Sequence, residues 1–263
     1  MKQLTRLIGL LVVCFATACT EGSSPNPTPN PEPQQGHSVV GSVLDTAGKP
    51  LSGALVWLEP ALTTGLTQTH TDITGHYKVE GLIDVPYYAK AWTEIDYNNQ
   101  HFCLRLAMPN LTDYDSFVPS QGAVRNFQWQ LTGAIPGLSE GYFGGEIRLF
   151  REGDMKGAKV QLSFTPTMPL ADGSTGQAFT RSLDLDEELM LYDIPLGHYQ
   201  VSAVLLENSD VIPLHVGLES SWTGYEGQTE TADFGFSSSS LYCGNDNGID
   251  RGFLYLNSPF EYE

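Results

Sequence analysis

Three short segments near the start of the folded region constrain this chain more than any others. They are Gly41-Ser-Val43, Gly53-Ala-Leu-Val-Trp-Leu58 and Thr71-Asp-Ile-Thr-Gly-His-Tyr77. Each bend between them carries a glycine or an Asp-x-x-Gly, residues that accept positive φ or hydrogen-bond their own backbone. Between the bends Ala54, Val56 and Leu58 alternate with Leu55, Trp57 and Glu59. A period of two puts one set on a buried sheet face, so the stretch reads as strand, turn, strand, turn, strand.

The same period recurs downstream. Phe102, Leu104 and Leu106 alternate with His101, Cys103 and Arg105; Ala158, Val160, Leu162 and Phe164 with Lys159, Gln161 and Ser163; Tyr199, Val201 and Ala203 with Gln200, Ser202 and Val204. There is also an internal echo. Gly41-Ser-Val43 stands twelve residues before Gly53-Ala-Leu-Val-Trp-Leu58, and Gly145-Glu-Ile147 stands twelve before Gly157-Ala-Lys-Val-Gln-Leu162. Asp84-Val-Pro86 is answered by Asp193-Ile-Pro195. The expectation is an all-β chain of two tandem antiparallel β-sandwich domains, at 37–133 and 140–240, joined by Gly133-Ala-Ile-Pro-Gly137. The tail 241–263, with Phe253, Tyr255, Leu256 and Phe260, is expected to pack back on the body.

Val40-Gly-Ser-Val-Leu-Asp-Thr-Ala-Gly-Lys-Pro-Leu-Ser-Gly-Ala-Leu-Val-Trp-Leu58 followed by Thr71-Asp-Ile-Thr-Gly-His-Tyr77 resembles the carboxypeptidase regulatory-like domain. The resemblance covers about 45 residues closely. It weakens from Tyr87 to Leu131, and in the second half it rests on the Gly-Ala-x-Val-x-Leu strand and Leu196-Gly-His-Tyr-Gln-Val201. It implies a transthyretin-like, Ig-like sandwich without catalytic residues, serving as a structural or interaction module on an exported protein.

Residues 1–18 read as a secretory signal. Lys2 and Arg6 precede an uncharged run from Leu7 to Phe15, which is far short of the ~20 residues a bilayer span needs. Ala16-Thr17-Ala18 then precedes Cys19, a pattern similar to bacterial lipoprotein signals, which implies that Cys19 is acylated after cleavage. Thr20 rather than Asp follows it, which by the same resemblance implies the outer membrane or cell surface. From Thr20 to Gly36 prolines at 25, 27, 29, 31 and 33 exclude sheet pairing. In polyproline form this disordered 19–36 linker would extend roughly 50 Å. The chain is thus expected to be a membrane-anchored envelope lipoprotein.

The formal net charge is -18, and loss of Lys2 and Arg6 takes it to -20. Such a surface does not recruit nucleic acid, which needs a basic face. Cleavage leaves Cys19, Cys103 and Cys243; acylating Cys19 leaves one possible pair. Cys103, placed opposite Phe102 and Leu104, faces outward and is expected to bond Cys243. Trp57 faces away from Val56 and Leu58, and it and Trp92 are the candidate exposed rings. They either pack between domains, the preferred reading, or stack on a sugar ring. Asn245, Asn247 and Asp250 have the look of a short calcium loop, but the closing acidic residue is missing, and a polar turn is preferred.

No histidine begins a His-x-x-Glu zinc motif, and there is no glycine-rich phosphate loop. His215 and Glu219 are four apart in a strand-turn region, a spacing that does not converge on a metal there. No cofactor, metal or catalytic residue is expected. The expected function is that of a non-catalytic surface binding or structural module with an envelope protein or glycan as partner. A glycan-binding lipoprotein is the alternative, and an uncharacterised hydrolase the last.

Overall fold

The computed structural model describes residues 36–152, 155, 159–207, 210–220, 229–239, 242–244 and 246–257. The signal segment, Cys19, nearly all of the proline-rich stretch and Asn245 lie outside them. Apart from two short 3-10 turns the regular structure of the described chain is all strand, and no helix among the described residues is long and apolar enough to cross a membrane.

Two sheets carry the first half. In one, β1 (Val39–Leu44) pairs antiparallel with β4 (His76–Val79) and parallel with the short β7 (Ala123–Val124) and β8 (Phe127–Gln128). In the other, β3 (Thr67–His70), β2 (Leu55–Pro60), β5 (Tyr87–Tyr97) and β6 (Gln100–Arg105) lie in that order, all antiparallel. Their inner rows, among them Val39, Val43, Val56, Leu58 and Phe102, are fully buried in a shared core.

The second half repeats this wiring. β9 (Gly145–Glu152) takes the place of β1 and pairs antiparallel with β12 (Met190–Ile194). β10 (Lys159–Pro166) takes the place of β2, flanked by β11 (Phe179–Asp184) and β13 (His198–Glu207). β14 (Asp210–Gly217) follows β13 as β6 follows β5, and β15 (Ala232–Gly235) pairs with the start of β13. The strand that runs parallel to β9, as β7 and β8 run parallel to β1, is β16 (Gly252–Asn257). The far end of β14 also pairs with β16, so the two sheets of this half are continuous through β14. The tail therefore does more than pack against the body: it supplies a strand between β9 and β14.

Sequence alternation placed the inner rows correctly for β2, β10 and β13: Val56, Val160, Leu162, Phe164, Tyr199 and Val201 are 0 % exposed. The glycines of the repeated motif have a packing reason. Gly41 lies under the Tyr77 ring and the Arg125 carbonyl, so a Cβ there would sit 2.5 Å from a Tyr77 ring carbon. At Gly145 the intruder would meet the Phe236 ring. Tyr77 donates its hydroxyl to the Arg125 carbonyl at 2.6 Å, and burial pushes its pKa far above the ordinary tyrosine value.

The halves are stitched together by hydrogen bonds. Gln100, at the β5–β6 turn, donates Nε2 to the Phe236 carbonyl (3.0 Å) and accepts from Ser238 N (3.2 Å). Tyr97 donates to the Pro169 carbonyl at 2.9 Å. Asp193 accepts from Gly133 N at 2.8 and 2.9 Å and from Gly144 N at 3.2 Å, pinning the connection between the halves at both ends.

Candidate functional site

The stretches 242–244 and 246–250 lie across the outer face of β6. Cys243 is disulfide-bonded to Cys103. Arg105 N donates to the Asn247 carbonyl at 3.3 Å. Gly248, at φ +85°, lies so close to the Cys103 carbonyl that any side chain would collide with it. Cys103 is consequently 2 % exposed, not outward in solvent as its strand position implied. The position was read correctly as the outer row, but the outer row is roofed by the tail. The Glu94 carboxylate stands 3.9 Å from the Cys243 sulfur. These three are the group of metal-ligating type that converges among the described residues, but both sulfurs are committed to the disulfide and offer no thiolate.

The tryptophans form one cluster on the same outer face. Their ring centroids are 4.5 Å apart, and the Arg105 guanidinium lies 5.1 Å over Trp92. Burial lowers the Arg105 pKa from its ordinary value. Trp92 is fully buried with Trp57 and Arg105 over it, so its ring offers no face for stacking on a sugar. Trp57 is half-buried. Neither indole N–H finds an acceptor, and both are shielded from solvent.

The loop proposed for calcium has a structural task. Asn247 donates Nδ2 to the carbonyls of Tyr142 (3.0 Å) and Gly144 (2.9 Å), and its Oδ1 accepts from Ile249 N (3.1 Å). Asp246 accepts from Gly248 N and from Ser239 Oγ, both at 3.1 Å, and Asp250 from Arg251 N at 2.9 Å. Oxygens aimed at N–H and O–H donors brace a turn rather than encircle a cation. Asn245 lies outside the described residues.

Beside this loop is a groove of about 530 Å³. Leu138, Tyr142 and Phe253 supply apolar walls; Glu146, Asp246 and Arg251 supply polar ones. Arg251 reaches Glu146 Oε2 through Nη2 (3.1 Å) and Nε (3.3 Å). A second groove, of about 250 Å³, includes Leu218, Phe234 and Ser237 and shares Asp250, Arg251 and Phe253 with the first. Phe253 is 45 % exposed, although its strand is interior to the sheet. Behind it Phe150 lies at 6.0 Å and is stacked on Tyr255 at 4.8 Å, with the Arg148 guanidinium 5.5 Å from Phe150. Tyr192, 5.4 Å from Tyr142, has its pKa raised by desolvation first and then by the carboxylates of Glu140, Glu188 and Glu146.

Sequence reasoning cast Phe253 and Tyr255 only as packing residues. The available signal was the alternation of Phe253 and Tyr255 with Leu254 and Leu256, which marks a strand with an aromatic outer row.

No protein family matches this sequence, and no curated protein matches it. Among solved structures, the TIE protein of Bacillus anthracis is 12 % identical with a TM-score of 0.34, covering 86 % of this chain and 34 % of its own. A streptococcal ancillary pilin is 13 % identical with a TM-score of 0.26, covering 84 % and 62 %. The major pilin of Streptococcus pyogenes is 11 % identical with a TM-score of 0.24, covering 86 % and 97 %. The chain thus spans about a third of the first of these proteins and about three fifths of the second. The roles in those names stay with those proteins.

Proposed function

We propose that this chain is a non-catalytic binding or structural module of a bacterial cell envelope, exported and held at the membrane by a lipid on Cys19. In this reading two sandwiches of the carboxypeptidase regulatory-like type stand on the proline-rich stalk at the outer membrane or cell surface. The observation that supports it best is the Cys103–Cys243 disulfide. Its Cys103 end is buried, it joins the first half to the tail, and bonds of this kind persist in oxidising, extracytoplasmic compartments. The clamps by Gln100, Asp193 and Asn247 add rigidity between the halves, which suits a part that holds a partner in place.

The test is intact-mass analysis of the mature protein from its native envelope, followed by crosslinking in that envelope. The expected species begins at Cys19 and carries acyl mass. A mature chain with an unmodified Cys19, or one retaining residues 1–18, would remove the anchor from the proposal. The glycan alternative is favoured by one observation, the exposed Phe253 between two grooves, and is developed next.

A further inference from the structure

We infer that the two grooves flanking Phe253 bind a neutral oligosaccharide, with the Phe253 ring as the stacking platform between two sugar subsites. This deepens the binding-module reading above and rests on it.

Geometry sets the length of the ligand. Cavities of about 530 and 250 Å³ meet at the same three residues, Asp250, Arg251 and Phe253. A ligand filling both must be elongated and must cross that ridge. The larger cavity alone falls within the roughly 300–1,000 Å³ typical of small-molecule sites.

Chemistry sets its class. Phe253 offers a flat apolar face at 45 % exposure. Phe150 of the neighbouring β9 lies 6.0 Å from it and is itself held between Tyr255 and Arg148, which limits the freedom left to lose on binding. A pyranose ring presents apolar C–H faces to such a platform and hydroxyls around its rim. The rim here meets the Glu146–Arg251 ion pair, Asp246 and Ser239, groups that both donate and accept. A wholly apolar ligand would leave these carboxylates desolvated without partners. Three carboxylates, Glu146, Asp246 and Asp250, line the larger groove against one guanidinium, Arg251. That balance, within a chain of formal charge -18, repels phosphorylated, sulfated and uronic-acid glycans.

Affinity gel electrophoresis of the full chain tests this, with a mixed-linkage β-glucan, a soluble α-glucan, a galactomannan and an arabinoxylan cast separately, and polygalacturonate as the anionic arm. At least one neutral polymer is expected to retard the protein. Phe253→Ala should weaken that retardation about tenfold, the scale of one hot-spot residue. Trp57→Ala, away from both grooves, should leave it unchanged. Circular dichroism reports whether each variant folds. If Phe253→Ala does not, Arg251→Gln decides in its place, since its side chain is half exposed and its partner is Glu146. No retardation by any neutral polymer, retardation by polygalacturonate alone, or wild-type retardation of the folded ridge variant overturns the inference. The Cys19 test reads mass at the other end of the chain, so either proposal can fail without the other.

Discussion

Asp193 holds a conformation that costs free energy and is repaid by its carboxylate. It lies in β12 where the register against β9 shifts between Leu191 and Ile194, and its φ is +59°. A non-glycine residue there is strained by about 1 kcal/mol. In return the carboxylate takes the N–H groups of Gly133 and Gly144, fixing both ends of the connection between the halves. Hydrogen bonds to a charged acceptor contribute about 1.5 kcal/mol each at the lower end, the appropriate end for a half-buried site. Asp193→Ala removes both and keeps the strain, so the expected loss is about 3 kcal/mol. For a chain of this size that is roughly 6–12 °C in Tm. Asp193→Gly removes the same bonds but relieves the strain, and should be about 1 kcal/mol less harmful than the alanine variant. Urea unfolding of the three proteins gives the ordering wild type, glycine, alanine. If the glycine variant is no more stable than the alanine variant, the backbone is not strained as described. If alanine matches wild type, the clamp contributes nothing.

Three further outcomes are expected. Gly41→Ala drives a methyl into the Tyr77 ring and the Arg125 carbonyl, so it should cost about 3 kcal/mol or abolish folding; a wild-type thermal melt would show that the two neighbours move aside freely. Replacing Cys103 and Cys243 together with serine opens a bond of sequence separation 140, for which the chain-entropy model gives up to ~5 kcal/mol; unchanged urea midpoints, or wild-type thiols that label after unfolding without reductant, would contradict it. The Asp72 carboxyl is held below its ordinary 3.8 by the Thr74 hydroxyl first and then by the His76 and Thr74 amides. A depressed carboxyl stabilises fully above its unfolded pKa and loses that contribution as pH falls through its folded value. The 72–76 turn should therefore loosen only in acid below the usual aspartate range. NMR titration of Thr74 and His76 reads this directly, and an Asp72 midpoint at or above the free value would refute it.

The sequence revealed rows more readily than roofs. Alternation identified Val56, Leu58, Val160, Leu162 and Tyr199 as inner residues because a strand's two faces are distinguished locally. It could not tell what lies over an outer row, because that depends on a segment more than a hundred residues away. Hence Cys103 was placed on the right face and given the wrong exposure. The spacing of Gly41 and Gly145 from their following strands disclosed the repeat, while the ring over each glycine, Tyr77 and Phe236, came from distant chain. Asp193 carried no local signal beyond its match with Asp84, since its role is set by the two glycine amides it receives. The Phe253 ridge was hidden for a similar reason: its exposure depends on which strands β16 joins.

The position of β16 has a consequence for how this molecule is made. Residues 252–257 are laid between β9 and β14, and β9 begins at Gly145. Polymerisation at roughly 5–20 residues per second leaves several seconds between the two strands. Through that interval β9 lacks its parallel neighbour, Cys103 lacks its bond, and the second sandwich cannot close. The strand that locks the fold is made about a hundred residues after β9 begins, so closure waits on the synthesis of 252–257.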